Sequence, residues 1–193
     1  MSTTNHTSKK KVSGLTLIEI LVTMIITSIG LMGLLSLQMQ AMKVTQDAGN
    51  QSQSIWIFND LSNRIRANEI ASSSYASANP VNCNNAPAVV CTNYFDGENR
   101  INSATCTGAQ LATWDLFEVA CGVPTSTENI RGNPIDNLPG AQLSVNCIDL
   151  NCDDGEALLI TLSWRARADV TEIDGRIRQA NDNLITQTRT VNP

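Results

Sequence analysis

Six cysteines, one histidine and a single carboxylate inside an apolar run are the residues of this chain whose types could do chemistry. The cysteines are Cys83, Cys91, Cys106, Cys121, Cys147 and Cys152; they are even in number and contain no CxxC pair. The histidine, His6, lies far from all of them in the sequence. This pattern points to disulfides, whereas zinc, the competing reading, would need a closer set of thiolate and imidazole ligands. With its only imidazole at position 6, the rest of the chain has no Ser-His-Asp or Cys-His nucleophile set. No phosphate-binding glycine motif occurs, and no spacing singles out a pair of carboxylates. No catalytic residue, cofactor or resident metal is expected.

Two charged clusters need weighing. Asp149, Asp153, Asp154 and Glu156 offer oxygen ligands of the kind calcium takes, but they do not follow the EF-hand pattern and read better as a solvated turn. Arg165, Arg167, Arg176 and Arg178 could hold phosphates near one hairpin. The chain carries −5 formally, with 13 Lys and Arg against 18 Asp and Glu. Such an acidic protein favours a salt-bridged surface there over a nucleic-acid partner.

The isolated carboxylate is Glu19. It lies in the stretch KKKVSGLTLIEILVTMIITSIGLMGLLSLQ, where Lys9, Lys10 and Lys11 precede an apolar run from Leu15 to Leu37. That run is long enough to cross a bilayer, and a carboxylate within it is costly and usually functional. A glutamate snorkelling from a helix end toward the headgroups is the plain alternative. The lysines keep the N-terminal end cytoplasmic and send the chain beyond the apolar run across the membrane, where disulfides form. A cleavable secretory signal fits poorly, because the run exceeds its usual length and has no small-residue cleavage box after it. Gly14 instead marks the boundary where charge gives way to apolar residues. A cut after it would leave ten Lys and Arg against the same eighteen acids, a formal charge of −8, with the apolar helix still attached.

These residues must be positioned by larger elements. Past Leu37 a helical period persists through Ala41, Val44 and Ala48, and then through Ile55, Phe58, Leu61 and Ile65. The first proline is Pro80, so one helix from Leu15 to about residue 68 is expected, roughly 80 Å long. Gly30, Gly33 and Gly49 each lower helix stability by up to about 1 kcal/mol, and mark places for bending or for close helix packing. Residues 71–105 are rich in Asn, Ser and Pro and read as a long cysteine-held loop. GAQLATWDLFEVA spaces Leu111, Trp114 and Phe117 or Glu118 as a short helix over about 109–120, with Trp114 as a core anchor.

That helix constrains the disulfides. It would hold Cys106 and Cys121 roughly 20 Å apart, beyond the ~7 Å a bridge allows. Cys147 and Cys152 flank a turn and can pair locally, leaving Cys83 and Cys91 to meet Cys106 and Cys121 in either order. Farther on, AQLSVNCI, ALLITLSW and LITQTRTV alternate as strands, with Leu143, Val145 and Cys147, then Leu158, Ile160, Leu162 and Trp164, on the inward face. A long helix on an antiparallel sheet makes an α+β fold.

Ser13-Gly14-Leu15-Thr16-Leu17-Ile18-Glu19 resembles the leader of type IV pilins and type II secretion pseudopilins. The resemblance implies that a prepilin peptidase cuts between Gly14 and Leu15 and that the new amino group of Leu15 is methylated, although that family usually has phenylalanine there. It implies that Glu19 pairs with the N-terminal amine of an adjacent subunit. It also implies three regions: a leader at 1–14, a transmembrane half-helix at 15–37, and an exported head at 38–193. NRIRAN, CTGAQLATWDL, LPGAQLSV and ITLSW are similar in patches to the PilV group of minor pilins. That similarity implies the expected partners, other minor pilins and a major pilin, and the expected locations, inner membrane and then surface pilus. A secretion pseudopilin, and a tip adhesin using residues 79–106, are the alternatives.

Overall fold

The structure is a computed structural model that describes residues 16–77, 79–125, 135, 137–149, 151–166 and 184–193. The cleavage pair Gly14 and Leu15, together with Arg167, Arg176 and Arg178, lies outside the described residues. The chain divides into two compact units, Met1–Met42 and Lys43–Pro193.

One helix, α1, spans Leu17–Ala67 and contributes to both units. It continues through Gly30, Gly33 and Gly49 without a break. Its buried residues are Ser54, Ile57, Phe58, Leu61, Ser62 and Ile65. The expected stripe therefore needs correction: Ala41, Val44 and Ala48 are exposed, and so is Ile55, whose place in the core Ile57 takes. At about 100° per residue, Ile55 falls at the edge of the arc centred on Leu61 and Ile65, whereas Ile57 falls within it. The arginines in the last turn, Arg64 and Arg66, suit the negative end of the helix dipole.

After α1 the chain is more ordered than its composition implies. A 3-10 helix at Glu69–Tyr75 and a small hairpin, β1 (Tyr94–Phe95) with β2 (Arg100–Ile101), occupy the segment expected to be loop. Neither is long enough to show a period. The hairpin turn is held by Asp96, whose Oδ1 accepts from the backbone N–H groups of Glu98 and Asn99 at 2.8 and 2.6 Å. Those backbone donors, Asn99's first, hold the Asp96 carboxyl below its ordinary pKa.

Helix α2 spans Gly108–Cys121. Thr107 and Gln110 close a capping box at its start, each side chain bonded to the other's backbone N–H. Gly108 is required for packing: a Cβ there would come within 2.5 Å of Ala71 Cβ in the 3-10 helix. Asn68 Nδ2 donates to Gly108 O at 2.8 Å across the same contact.

The sheet is antiparallel in the order β3-β4-β5, with β3 at Gln142–Cys147, β4 at Leu158–Arg165 and β5 at Leu184–Val191. Leu143, Val145, Leu158, Ile160, Leu162, Trp164 and Val191 are almost fully buried. They share one hydrophobic core with Phe58, Leu61, Ile65, Phe117 and Val119 of the two helices. Cys147 is only partly buried at the margin of that core. On the outer edge of β3, Ser77 and Val81 donate backbone N–H bonds to Val145 and Leu143, both at 2.8 Å. Ser54 Oγ donates to Gln187 Oε1 at 2.8 Å and Arg189 donates to Asn59 Oδ1, which ties β5 to α1.

Candidate functional site

The N-terminal unit offers a surface rather than a pocket. Every residue from 16 to 46 is exposed in the isolated subunit, although most of those from 17 to 42 are large and apolar. α1 is long and apolar enough to cross a membrane. Three of its hydroxyls are satisfied within the helix: Thr23 donates to Ile20 O at 2.8 Å, Thr27 to Thr23 O at 2.9 Å and Ser28 to Met24 O at 2.7 Å. Polar side chains that bond their own helix can enter an apolar environment at little cost.

Glu19 is the exception. It is the one charged residue between 17 and 42, and it sits exposed in the first turn. Its backbone N–H donates to Thr16 O at 3.0 Å. Thr16 and Glu19 have capping-box spacing, and a carboxylate there suits the positive end of the helix dipole. Local structure thus gives Glu19 a reason to be near a helix start. It does not give the carboxylate a counter-ion once apolar surroundings remove water.

The second unit, Lys43–Pro193, is held by a polar network centred on Arg64. Its Nη1 donates to Asp115 Oδ1 at 2.8 Å and to Glu118 Oε2 at 3.0 Å, and its Nε donates to Asp60 Oδ1 at 3.0 Å. Tyr75 OH donates to Asp115 Oδ2 at 2.6 Å. Trp114 Nε1 donates to Thr92 Oγ1 at 2.8 Å and to Glu118 Oε2 at 3.0 Å. One guanidinium therefore joins α1 to α2, and through their carboxylates to the 3-10 helix and the cysteine-held loop. Burial acts against the charge of Arg64, but hydrogen bonds to Asp115, Asp60 and Glu118 outweigh it and raise its pKa. The sequence carried one signal for this centre: a carboxylate at 115 on the buried side of a short helix must find a donor or cation.

Both tyrosines of the chain report on this region. Burial, followed by the hydrogen bond to Asp115, raises the pKa of Tyr75. Burial, followed by the charge of Asp96, raises that of Tyr94, which stacks on Trp114. A raised folded-state pKa favours folding fully below the unfolded value near 10, and that contribution is lost as pH rises through the folded value. Tyrosinate absorbance of the folded protein should therefore stay low past pH ~10 and then rise together with unfolding. Titration of either tyrosine at or below its ordinary value, with the fold intact, would contradict this arrangement.

The structure joins Cys83 to Cys121, Cys91 to Cys106 and Cys147 to Cys152, with Cα separations of 5.4, 5.8 and 5.3 Å. Cys121 ends α2 and Cys106 lies just before it, so the helix keeps them apart and each is bonded to the preceding loop. The Cys91–Cys106 loop is nested within the Cys83–Cys121 loop. By loop-closure entropy the outer bridge is worth about 4 kcal/mol.

The acidic turn between β3 and β4 has a structural use. Asp154 Oδ1 accepts from Ser73 N at 2.9 Å, and Gly155 N donates to Ser72 Oγ at 2.8 Å, docking the turn on the 3-10 helix. Hydrogen bonds from Ser73 hold the Asp154 carboxyl below its ordinary pKa. No group of three or more metal-ligating side chains occurs among the described residues.

Two comparisons with protein families bear on these surfaces. Residues 9–35 match the prokaryotic N-terminal methylation motif, and residues 36–117 match the Tt1218-like family model, described as type IV pilin Tt1218. The first match covers Gly14, Leu15 and Glu19; the second covers Arg64, Tyr75, Trp114 and the Cys91–Cys106 bridge. Neither extends to the β3-β4-β5 sheet. No curated protein and no solved structure matches the chain.

Proposed function

We propose that this chain, a type IV pilin by its methylation motif and its Tt1218-like segment, works as a minor pilin that helps to prime pilus assembly and stays in a tip complex. The observation that carries the reading is the match to the methylation motif over residues 9–35, which includes helical turns whose apolar side chains have no cover in the single subunit. In this reading prepilin peptidase cuts between Gly14 and Leu15, and the new amine of Leu15 is methylated. The lysines hold the leader in the cytoplasm while the head folds and forms its disulfides in the periplasm. Residues 15–37 first sit in the inner membrane, then leave it for a filament core made of the same helices from other minor pilins and a major pilin. The chain works by packing and catalyses nothing.

Glu19 supplies register in this reading. Entering an apolar core, the carboxylate carries a penalty of a few kcal/mol unless it meets a cation, and the amine of a neighbour's first residue is one. A capping role predicts something different, because glutamine serves in a capping box as well as glutamate does. Glu19→Gln and Glu19→Ala should both be processed normally and both be depleted in sheared pili. Recovery of Glu19→Gln at the wild-type level, with only Glu19→Ala depleted, would reduce Glu19 to a helix cap. The wider reading is tested by deleting the gene, counting pili and identifying the pilins that co-purify with the tagged chain.

A further inference from the structure

The chain has three tryptophans, and they are used in two ways. Trp114 and Trp164 are fully buried, whereas Trp56 is 74% exposed. On α1, Trp56 points away from the face that carries Phe58, Leu61 and Ile65. An exposed tryptophan on an otherwise polar helix face has the composition of an interface centre.

Around it lies a groove of about 490 Å³ within the head, lined by Gln53, Ile57, Asn59, Asp60 and Asn63 of α1 and by Val119 of α2. Its polar lining is amides and one carboxylate, with no lysine or arginine among the lining residues. Asp60 lies four residues after Trp56, so both side chains lie on one side of the helix. The Asp60 side chain remains 52% exposed even while it accepts from Arg64. Behind the groove, the single guanidinium of Arg64 is shared among Asp60, Asp115 and Glu118, which leaves negative charge in excess. Arg189, on the β5 side, is engaged with Asn59 Oδ1.

We propose that this groove receives a lysine or arginine side chain from a neighbouring pilin subunit, with its cation over the indole of Trp56 and against the carboxylate of Asp60. The proposal rests on the pilin reading and deepens it by naming the chemistry of one contact between heads. Tryptophan is the best of the aromatic faces for a cation, and a carboxylate beside it strengthens the attraction. An anionic membrane surface is disfavoured as the occupant by the same carboxylates.

The test uses the full-length chain in its own pilus-bearing cells, with disulfides and thermal melting checked for each variant. Trp56→Leu keeps an apolar side chain but loses the aromatic face, and its level in sheared pili should fall about tenfold. Trp56→Phe keeps a face and should stay within about threefold of wild type. Asp60→Asn should fall in the same direction as Trp56→Leu. A photo-crosslinker at position 56 should capture another pilin through a peptide carrying lysine or arginine. Equal incorporation of Trp56→Leu and wild type would overturn the docking site, as would adducts only with lipid or only within the chain. Equal loss for Trp56→Leu and Trp56→Phe would overturn the cationic occupant. Absence of the wild-type chain from filaments would be a failure of the pilin reading instead.

Discussion

With alanine in place of Gly14, the chain should accumulate in the inner membrane with its leader attached, and the processed form should nearly vanish. The match to the methylation motif spans this residue, and the sequence places it between the lysines and Leu15. Glycine lacks a Cβ, so a peptidase can bring its catalytic groups close to the backbone at this position. A closely fitted site rejects one extra methyl group by about 10- to 200-fold. The expectation is therefore a comparable fall in cleavage, seen as a shift from mature to precursor band in an immunoblot. Downstream, the precursor should be missing from pili, because its Leu15 nitrogen, still tied to the leader, could not form the proposed amine–carboxylate pair with Glu19 of a neighbour. Normal processing of Gly14→Ala would refute the cleavage site, and normal incorporation of an unprocessed chain would refute the need for that amine.

In the head, the comparable loss comes from Arg64→Leu. Among the described residues, it removes the one cation that pairs with Asp115, which is 4% exposed, and that holds Glu118 and Asp60 on the same guanidinium. Losing one member of a buried ion pair strands the charge of the other, typically at a cost of about 3–5 kcal/mol. Arg64 keeps some contact with water, its side chain being 25% exposed, so the lower end, about 3 kcal/mol, is expected. For a protein of this size that is a fall in Tm on the order of 10 °C. Scanning calorimetry of the purified variant beside wild type measures it. Exchanging the whole cluster for apolar residues of similar volume should recover much of the loss, since the penalty comes from stranded charge. An Arg64→Leu protein that melts with wild type would mean that the network contributes little to holding α1 against α2.

These two centres were unequally legible in the sequence. The leader can be read because its signal is contiguous: lysines, Gly14, an apolar run and Glu19 stand within a few helical turns. The strands were legible for a related reason, as Leu143 and Val145, and then Leu158, Ile160, Leu162 and Trp164, alternate strictly and each strand buries one face. Helix α2 carried a period, while its Thr107–Gln110 capping box emerged only in the structure. The Arg64 network draws its members from positions 60, 64, 75, 92, 114, 115 and 118, and only the i,i+4 pairs Asp60–Arg64 and Trp114–Glu118 lie close in sequence. The 3-10 helix and the β1-β2 hairpin are too short for periodicity, and are fixed by tertiary contacts such as Gly108 against Ala71. Ile55 and Ile57 differ by two residues in a stretch apolar on several sides, so only packing decides which is buried. Trp56 reads as one more apolar residue until its exposure beside Asp60 is seen.

The most direct check on the minor-pilin reading is the N-terminal sequence and intact mass of this chain recovered from sheared surface filaments. The expected chain begins at Leu15, carries a methylated amine and contains all three disulfides. Recovery only of chain that still begins at Met1, or a chain processed at Leu15 but found in membranes and never in filaments, would contradict it.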